Sequence, residues 1–168
     1  MSTYVELLMD RFRNKGVLVD ANLLLLLYAG NCDIRLIGPR FMHLKAYTAE
    51  DYYALRYITG RFVRMVTTPN VLTEVSNLAN KFIPDDKKKF YPQFAEEMRL
   101  IEEFHHPSIQ ATASELFPVI GLTDSVLLSV CREYLIITDN LRFYANLERK
   151  KLDALNFNHV RTEYLLRQ

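Results

Sequence analysis

GVLVDANLLLLLYAG, Gly16 to Gly30, reads as a strand running directly into a helix. Val17 to Val19 is a short apolar run of the kind buried on both faces of a parallel sheet, and Asp20 follows it at once. Leu23 to Tyr28 then supplies a segment of helical character that is apolar on every side, with Gly30 expected to stop it. Asp20 thus stands at the carboxyl end of a strand, where the loops of an open α/β sheet diverge and ligands bind. A helix without a polar face needs cover on two sides. The sheet supplies one, and a second subunit is expected to supply the other, which predicts a homodimer.

A chain of 168 residues, 49% hydrophobic and 24% charged, is long enough for one packed domain over residues 1–168 and too short for two. Its net charge of +1 offers no global field for nucleic acid or membrane, so any basic surface is local. Cys32 and Cys131 lack metal-ligand spacing and fit buried thiols in a reducing cytoplasm. The N-terminal stretch carries Glu6 and Asp10 and is not a signal peptide, and the longest apolar run, Leu23 to Ala29, falls far short of the ~20 residues that span a bilayer. A cytoplasmic protein is expected.

Outward from the first strand, Tyr4, Leu7, Leu8 and Phe12 predict a short helix over residues 2–13. Residues 31–48 read as an irregular connection. Thr48, followed by Glu50 and Asp51, predicts a capped helix to about Phe62, and Val63 to Thr67 a second strand. Thr68-Pro69 opens a helix that turns Val71, Leu72, Val75 and Leu78 inward. Pro84 to Lys89 reads as a solvated loop before a helix from Phe90 to His105, and Thr123 as the N-cap of a helix to about Glu133. Tyr134 to Thr138 is a further buried strand, Asn140 to Arg149 a helix, and Ala154 to Phe157 a last strand. Alternation of this kind implies an α/β fold with a mainly parallel central sheet and right-handed crossovers.

Four acids stand out in this frame. Asp20 and Asp139 each end a strand, although either could simply cap the helix that follows. Asp124 opens a helix, where the dipole favours an anion in any case. Glu74 sits at the margin of an apolar helical stripe, where a glutamate deprived of water needs a cation, either a metal or a side chain such as Lys81. Taken together, Asp20, Glu74, Asp124 and Asp139 have one economical explanation, a hard divalent ion, Mg²⁺ or Mn²⁺, bound by oxygen. Such an ion relieves their repulsion and generates hydroxide for attack on a phosphodiester. No serine, cysteine or histidine has the setting of a nucleophile. Asn22, Thr138 and Asn140 are short polar neighbours suited to hold the carboxylates or a water. Arg142 and the run Lys87 to Lys89 are candidate phosphate contacts.

The segments VLVDANLLLLL, TTPNVLTEVSNLA, GLTDSVLLSV and LIITDN, with NFNHVR behind them, occur in an order that resembles the PIN-domain family of metal-dependent ribonucleases, which includes the VapC-type toxins of toxin–antitoxin pairs. The resemblance covers most of the chain. It implies a three-layer α/β/α domain in which Asp20, Glu74, Asp124 and Asp139 hold Mg²⁺ or Mn²⁺ and cut single-stranded or looped RNA, with an antitoxin or another protein as partner. Ala21 stands where the family often has Thr or Ser, and Asn140 where it often has a second aspartate. Residues 31–63 and the region around Glu102 are longer than in small toxins, so the chain looks most like the longer stand-alone members.

A phosphatase of the haloacid-dehalogenase type needs an aspartate where Asn22 stands, and a receiver-like phosphoacceptor needs no Glu74. The remaining rival is a catalytically weakened PIN-like module that binds RNA or protein. Retention of all four acids favours the enzyme.

Overall fold

The computed structural model describes residues 3–166. Helix α1 (Thr3–Phe12) leads into β1 (Val17–Val19), and residue 2 of the expected helix lies outside the described residues. Its inward stripe is Val5, Leu8, Met9 and Phe12, while Tyr4 and Leu7 are exposed. Four more strands follow: β2 (Met65–Thr67), β3 (Glu102–Glu103), β4 (Leu135–Thr138) and β5 (Ala154–Asn156). All pair in parallel, in the order β3-β2-β1-β4-β5. The chain works outward from β1 to one side, then returns to lay β4 against the other side of β1. The connection direction therefore reverses between β1 and β4, and the crevice beyond their carboxyl ends is where such sheets accept ligands. Short strands suffice because β1 and β4 are wholly buried between helices.

The helices α2 (Ala21–Cys32), α3 (Ala49–Thr59), α4 (Pro69–Ala79) and α5 (Pro84–Glu97) form a packed set in which α2 touches all three others. Every residue from Leu23 to Ala29 is buried by this one chain. The apolar circumference of α2, the reason for expecting a partner subunit, is thus covered internally, and that expectation loses its basis. Gly30 does not stop α2. It lies within the last turn, two residues before the end at Cys32, where a Cβ would overlap the ring of Tyr52 on α3, whose hydroxyl donates to Asn31 Oδ1 at 2.8 Å. Gly30→Ala should therefore cost about 1–3 kcal/mol by overpacking. A urea midpoint equal to that of the wild type would show that Tyr52 yields freely.

Local sequence explains most boundaries. Thr48 and Asp51 form a reciprocal capping box on α3, and Thr68 caps α4 with Pro69 in its first turn. Pro84 with Asp85 and Asp86 opens α5, so Pro84 to Lys89 is helical rather than a loop. That helix ends at Glu97, earlier than His105, because the chain must extend to add β3 beside β2. After α6 (Ser108–Ala111), helix α7 (Phe117–Val130) breaks at Gly121, which has φ 81° and ψ −178°. The second half of α7 therefore starts from Gly121, not from a Thr123 cap. Helix α8 (Leu141–Arg149) follows β4, and α9 (Phe157–Leu165), absent from the sequence reading, follows β5. No helix among the described residues is long and apolar enough to cross a membrane.

Candidate functional site

Strand register places the first two acids. Val19 pairs with Ile137, so Asp20 comes level with Thr138, and Asp139 lies one residue further along the neighbouring strand. Asp20 is buried. Its Oδ1 accepts the Leu23 amide at 3.0 Å, which makes it the N-cap of α2, and its Oδ2 accepts the Asp139 amide at 3.0 Å and the Thr138 hydroxyl. The capping reading is thus correct for Asp20 and incomplete. Burial first, then the Asp139 charge, pushes its carboxyl up to about 8, against the pull of those three hydrogen bonds.

Asp139 caps nothing. Asn140 takes that task, its Oδ1 accepting the amides of Arg142 at 3.1 Å and Phe143 at 3.2 Å. Asp139 Oδ2 instead receives the hydroxyl of Tyr47, a residue that sequence reasoning missed. Burial and the Asp139 charge raise the Tyr47 phenol, so it remains a donor. Asp139 Oδ1 is buried with no hydrogen-bond partner. A buried carboxylate oxygen in that state lacks compensation, and a cation is what it can accept.

Asp124 and Glu74 make a second pair. Asp124 is half-buried; burial and then the Glu74 charge push it up to about 7. Glu74 itself is exposed on α4 and keeps its water, so the desolvation argument for it does not hold. It makes no ion pair with Lys81 among the described residues; what ties it to the site is its field at Asp124. Asn140 links the pairs, donating from Nδ2 to Asp124 Oδ2 at 3.1 Å. Thr138 also accepts the Asn140 amide at 3.0 Å, so it braces both the acid and the turn after it. Among the described residues, Asn22 is exposed and hydrogen-bonds to none of the acids, and Arg142 is exposed in the first turn of α8 without an ion-pair partner. Lys87 to Lys89 lie within α5, where Lys88 pairs weakly with Asp85 at 3.9 Å.

Four carboxylates are the donor chemistry of a hard divalent ion, while the Asn140 amide turns its oxygen to the α8 cap and its nitrogen to Asp124. Their spacing is more open: among the described residues no three or more His, Cys, Asp or Glu side chains gather closely enough to form a metal cage. The acids form two pairs spanned by Asn140, and one ion shared by both pairs requires side-chain movement. A groove of about 720 Å³ lined by Tyr53, Arg56, Tyr57 and Tyr164 runs between α3 and α9 and includes none of the four acids. Asn140→Asp should sharpen this picture. The cap on α8 survives, but a carboxylate oxygen replaces the amide donor facing Asp124 Oδ2. Stability without metal should fall at neutral pH while Mn²⁺ affinity rises, as calorimetry would show; unchanged or weaker Mn²⁺ binding would remove position 140 from the ion's surroundings.

Comparison with protein-family models, with curated proteins and with solved structures returns no match.

Proposed function

We propose that the protein is a Mg²⁺- or Mn²⁺-dependent endoribonuclease of the PIN-like kind, hydrolysing phosphodiester bonds of single-stranded or looped RNA. The observation that carries this reading is the buried, unpartnered Asp139 Oδ1 beside Asp20 at the point where the sheet order reverses. Asp124, with Glu74 behind it, approaches from α7 through Asn140. Mg²⁺ or Mn²⁺, when bound, supplies a water ionised near neutral pH and offsets the negative charge that develops on the phosphate.

The residues of the chain do the rest. Leu23, Thr138 and the Asp139 amide aim Asp20, and the Tyr47 hydroxyl occupies one oxygen of Asp139 while the other is buried without a hydrogen-bond partner. Arg142 stands next to the turn that carries Asp139 and Asn140 and is available to a phosphate. Elevated carboxyls at about 7 and 8 mean that the site loses protons as a cation binds.

The second reading, a PIN-like module that binds RNA or protein without cutting, is favoured by the open spacing of the two acid pairs and by Asn140 in place of an acid. One assay separates them. Purified protein should cleave labelled single-stranded RNA in Mn²⁺ or Mg²⁺ and stop when EDTA is added. Binding without cleavage in either ion supports the module, and cleavage that persists in EDTA rejects the metal mechanism.

A further inference from the structure

The acids occupy one end of the sheet, and the opposite end collects cations. Lys15 precedes β1, Arg132 precedes β4, and Lys151 precedes β5, so the order of the three neighbouring strands brings these side chains together at their amino-terminal ends. With Arg11, from the last turn of α1, they line a pocket of about 390 Å³. Its single acid, Asp153, is already paired with Arg11. Lys15, Arg132 and Lys151 have no ion-pair partner among the described residues, so three mutually repelling charges share one concavity.

Lys151 holds its place against local preference. Its φ of 55° is the one positive value outside glycine among the described residues. The position ends α8, with the Lys151 amide donating to Glu148 O at 2.9 Å and the Leu152 amide to Leu147 O at 3.0 Å, a left-handed closure that glycine fits with less strain. A lysine there lines the pocket at a position where glycine would serve the backbone better. Phe12 and Cys131 are almost wholly buried, and the Phe12 ring is covered by Lys15 at 5.0 Å and Arg11 at 5.1 Å, so the pocket offers no open aromatic face on which a base could stack. What it offers is clustered positive charge.

We propose that this pocket binds a chain of adjacent phosphates, carried either by a free triphosphate or by the 5′-triphosphate end of an RNA. Three cations without an ion-pair partner offset most of the charge of such a group, and multiple charge-assisted hydrogen bonds from Lys and Arg are how it is held. The site is separate from the acid edge and does not depend on the nuclease reading.

The probe is inorganic tripolyphosphate, titrated calorimetrically into the full chain at low salt with EDTA present, so that the acids contribute no metal-bridged binding. Wild-type protein should bind one equivalent. Lys151→Gly and Arg132→Gln should each weaken binding about tenfold or more, while Arg99→Gln just after α5, the same charge change at an exposed residue that lines no part of the pocket, should leave it intact. Lys151→Gly should at the same time melt higher than wild type without ligand, because glycine relieves the left-handed backbone. Competition then identifies the source: displacement by a nucleoside triphosphate assigns free triphosphate, and displacement by 5′-triphosphorylated but not 5′-hydroxyl oligonucleotide assigns an RNA end. Absence of saturable binding, equal binding by Lys151→Gly and wild type, or equal weakening by Arg99→Gln would overturn the proposal.

Discussion

Asp124→Asn should lower divalent-dependent RNA cleavage by several orders of magnitude, on the order of the losses seen when a reacting or ion-holding group is removed as a unit, and should do so in a folded protein. Asp124 is half-buried, its carboxylate accepts one hydrogen bond among the described residues, from the Asn140 side-chain amide, and an asparagine can turn its own oxygen to that donor. What it cannot restore is the anionic charge. Asp20→Asn should be as damaging to activity but less neutral to the fold. Three donors converge on the two Asp20 oxygens, so an amide nitrogen in place of either oxygen leaves a donor facing a donor. That mismatch costs roughly 1–3 kcal/mol, set against relief from burying a carboxylate beside Asp139. Single-turnover cleavage at matched folded concentration, with circular dichroism as the control for structure, measures both. Activity within tenfold of wild type in either variant would place the chemistry elsewhere.

The second large effect is on stability. Asp20 is raised to about 8 and Asp124 to about 7, each mainly by burial, whereas an unfolded aspartate titrates near pH 4. Between about 4 and those values the folded protein keeps protons that the unfolded chain has released. Stability is therefore complete below pH 4 as far as these two groups are concerned, falls as pH rises through the window, and levels off above about 8. Each group contributes a slope approaching about 1.4 kcal/mol per pH unit, so the metal-free protein should lose several kcal/mol between pH 5 and pH 8. Asp124→Asn should flatten the part of the curve below pH 7. Urea unfolding in EDTA at pH 5, 6, 7 and 8 tests this directly, and a metal-free protein more stable at pH 8 than at pH 5 would show that neither carboxyl is raised.

These effects rest on residues that differ in how plainly the sequence announced them. Asp20 and Asp139 were legible because each follows a buried β-branched or leucine run, and period and burial leave little choice about what Val17 to Val19 and Leu135 to Thr138 become. The strands flanking them were equally readable. Glu102 and Glu103 were not, since an edge strand of two exposed acids has no apolar signature; β3 exists because the edge of β2 was free to pair. Helix α5 carried a start signal in Pro84-Asp85-Asp86, but three consecutive lysines pointed to a loop. Gly30 was misread as a stop because its reason is tertiary: the ring of Tyr52, twenty-two residues on by sequence position, needs the space. Tyr47 is the sharpest omission. It lies in an irregular segment ninety-two residues from Asp139, and nothing local marks a tyrosine that will close on a carboxylate. Glu74 was found for a reason that failed, as it is exposed rather than desolvated, yet its field still reaches Asp124.

The acid edge owes its energetics to position more than to composition. A parallel sheet that reverses direction between β1 and β4 brings two strand ends together with opposite neighbours, and each strand end here carries an aspartate. Bringing a third acid in from α7 and a fourth from α4 raises the local cost of ionisation, which ligand binding can return. A cation that binds only the folded site adds RT ln(1 + [L]/Kd), about 2.7 kcal/mol at a hundredfold excess over Kd. The gain should grow as pH rises from 5 to about 8, where fewer protons compete for the carboxylates.

Titration of Mn²⁺ into wild-type and Asp124→Asn protein at pH 7.5, followed by calorimetry, addresses the metal site itself. The proposed site predicts binding to wild type with release of protons to the buffer, and affinity at least about tenfold weaker in Asp124→Asn, because one charged oxygen ligand has been removed. Equal Mn²⁺ affinity in the two proteins, or no binding to either, would contradict a metal centre built from Asp20, Glu74, Asp124 and Asp139.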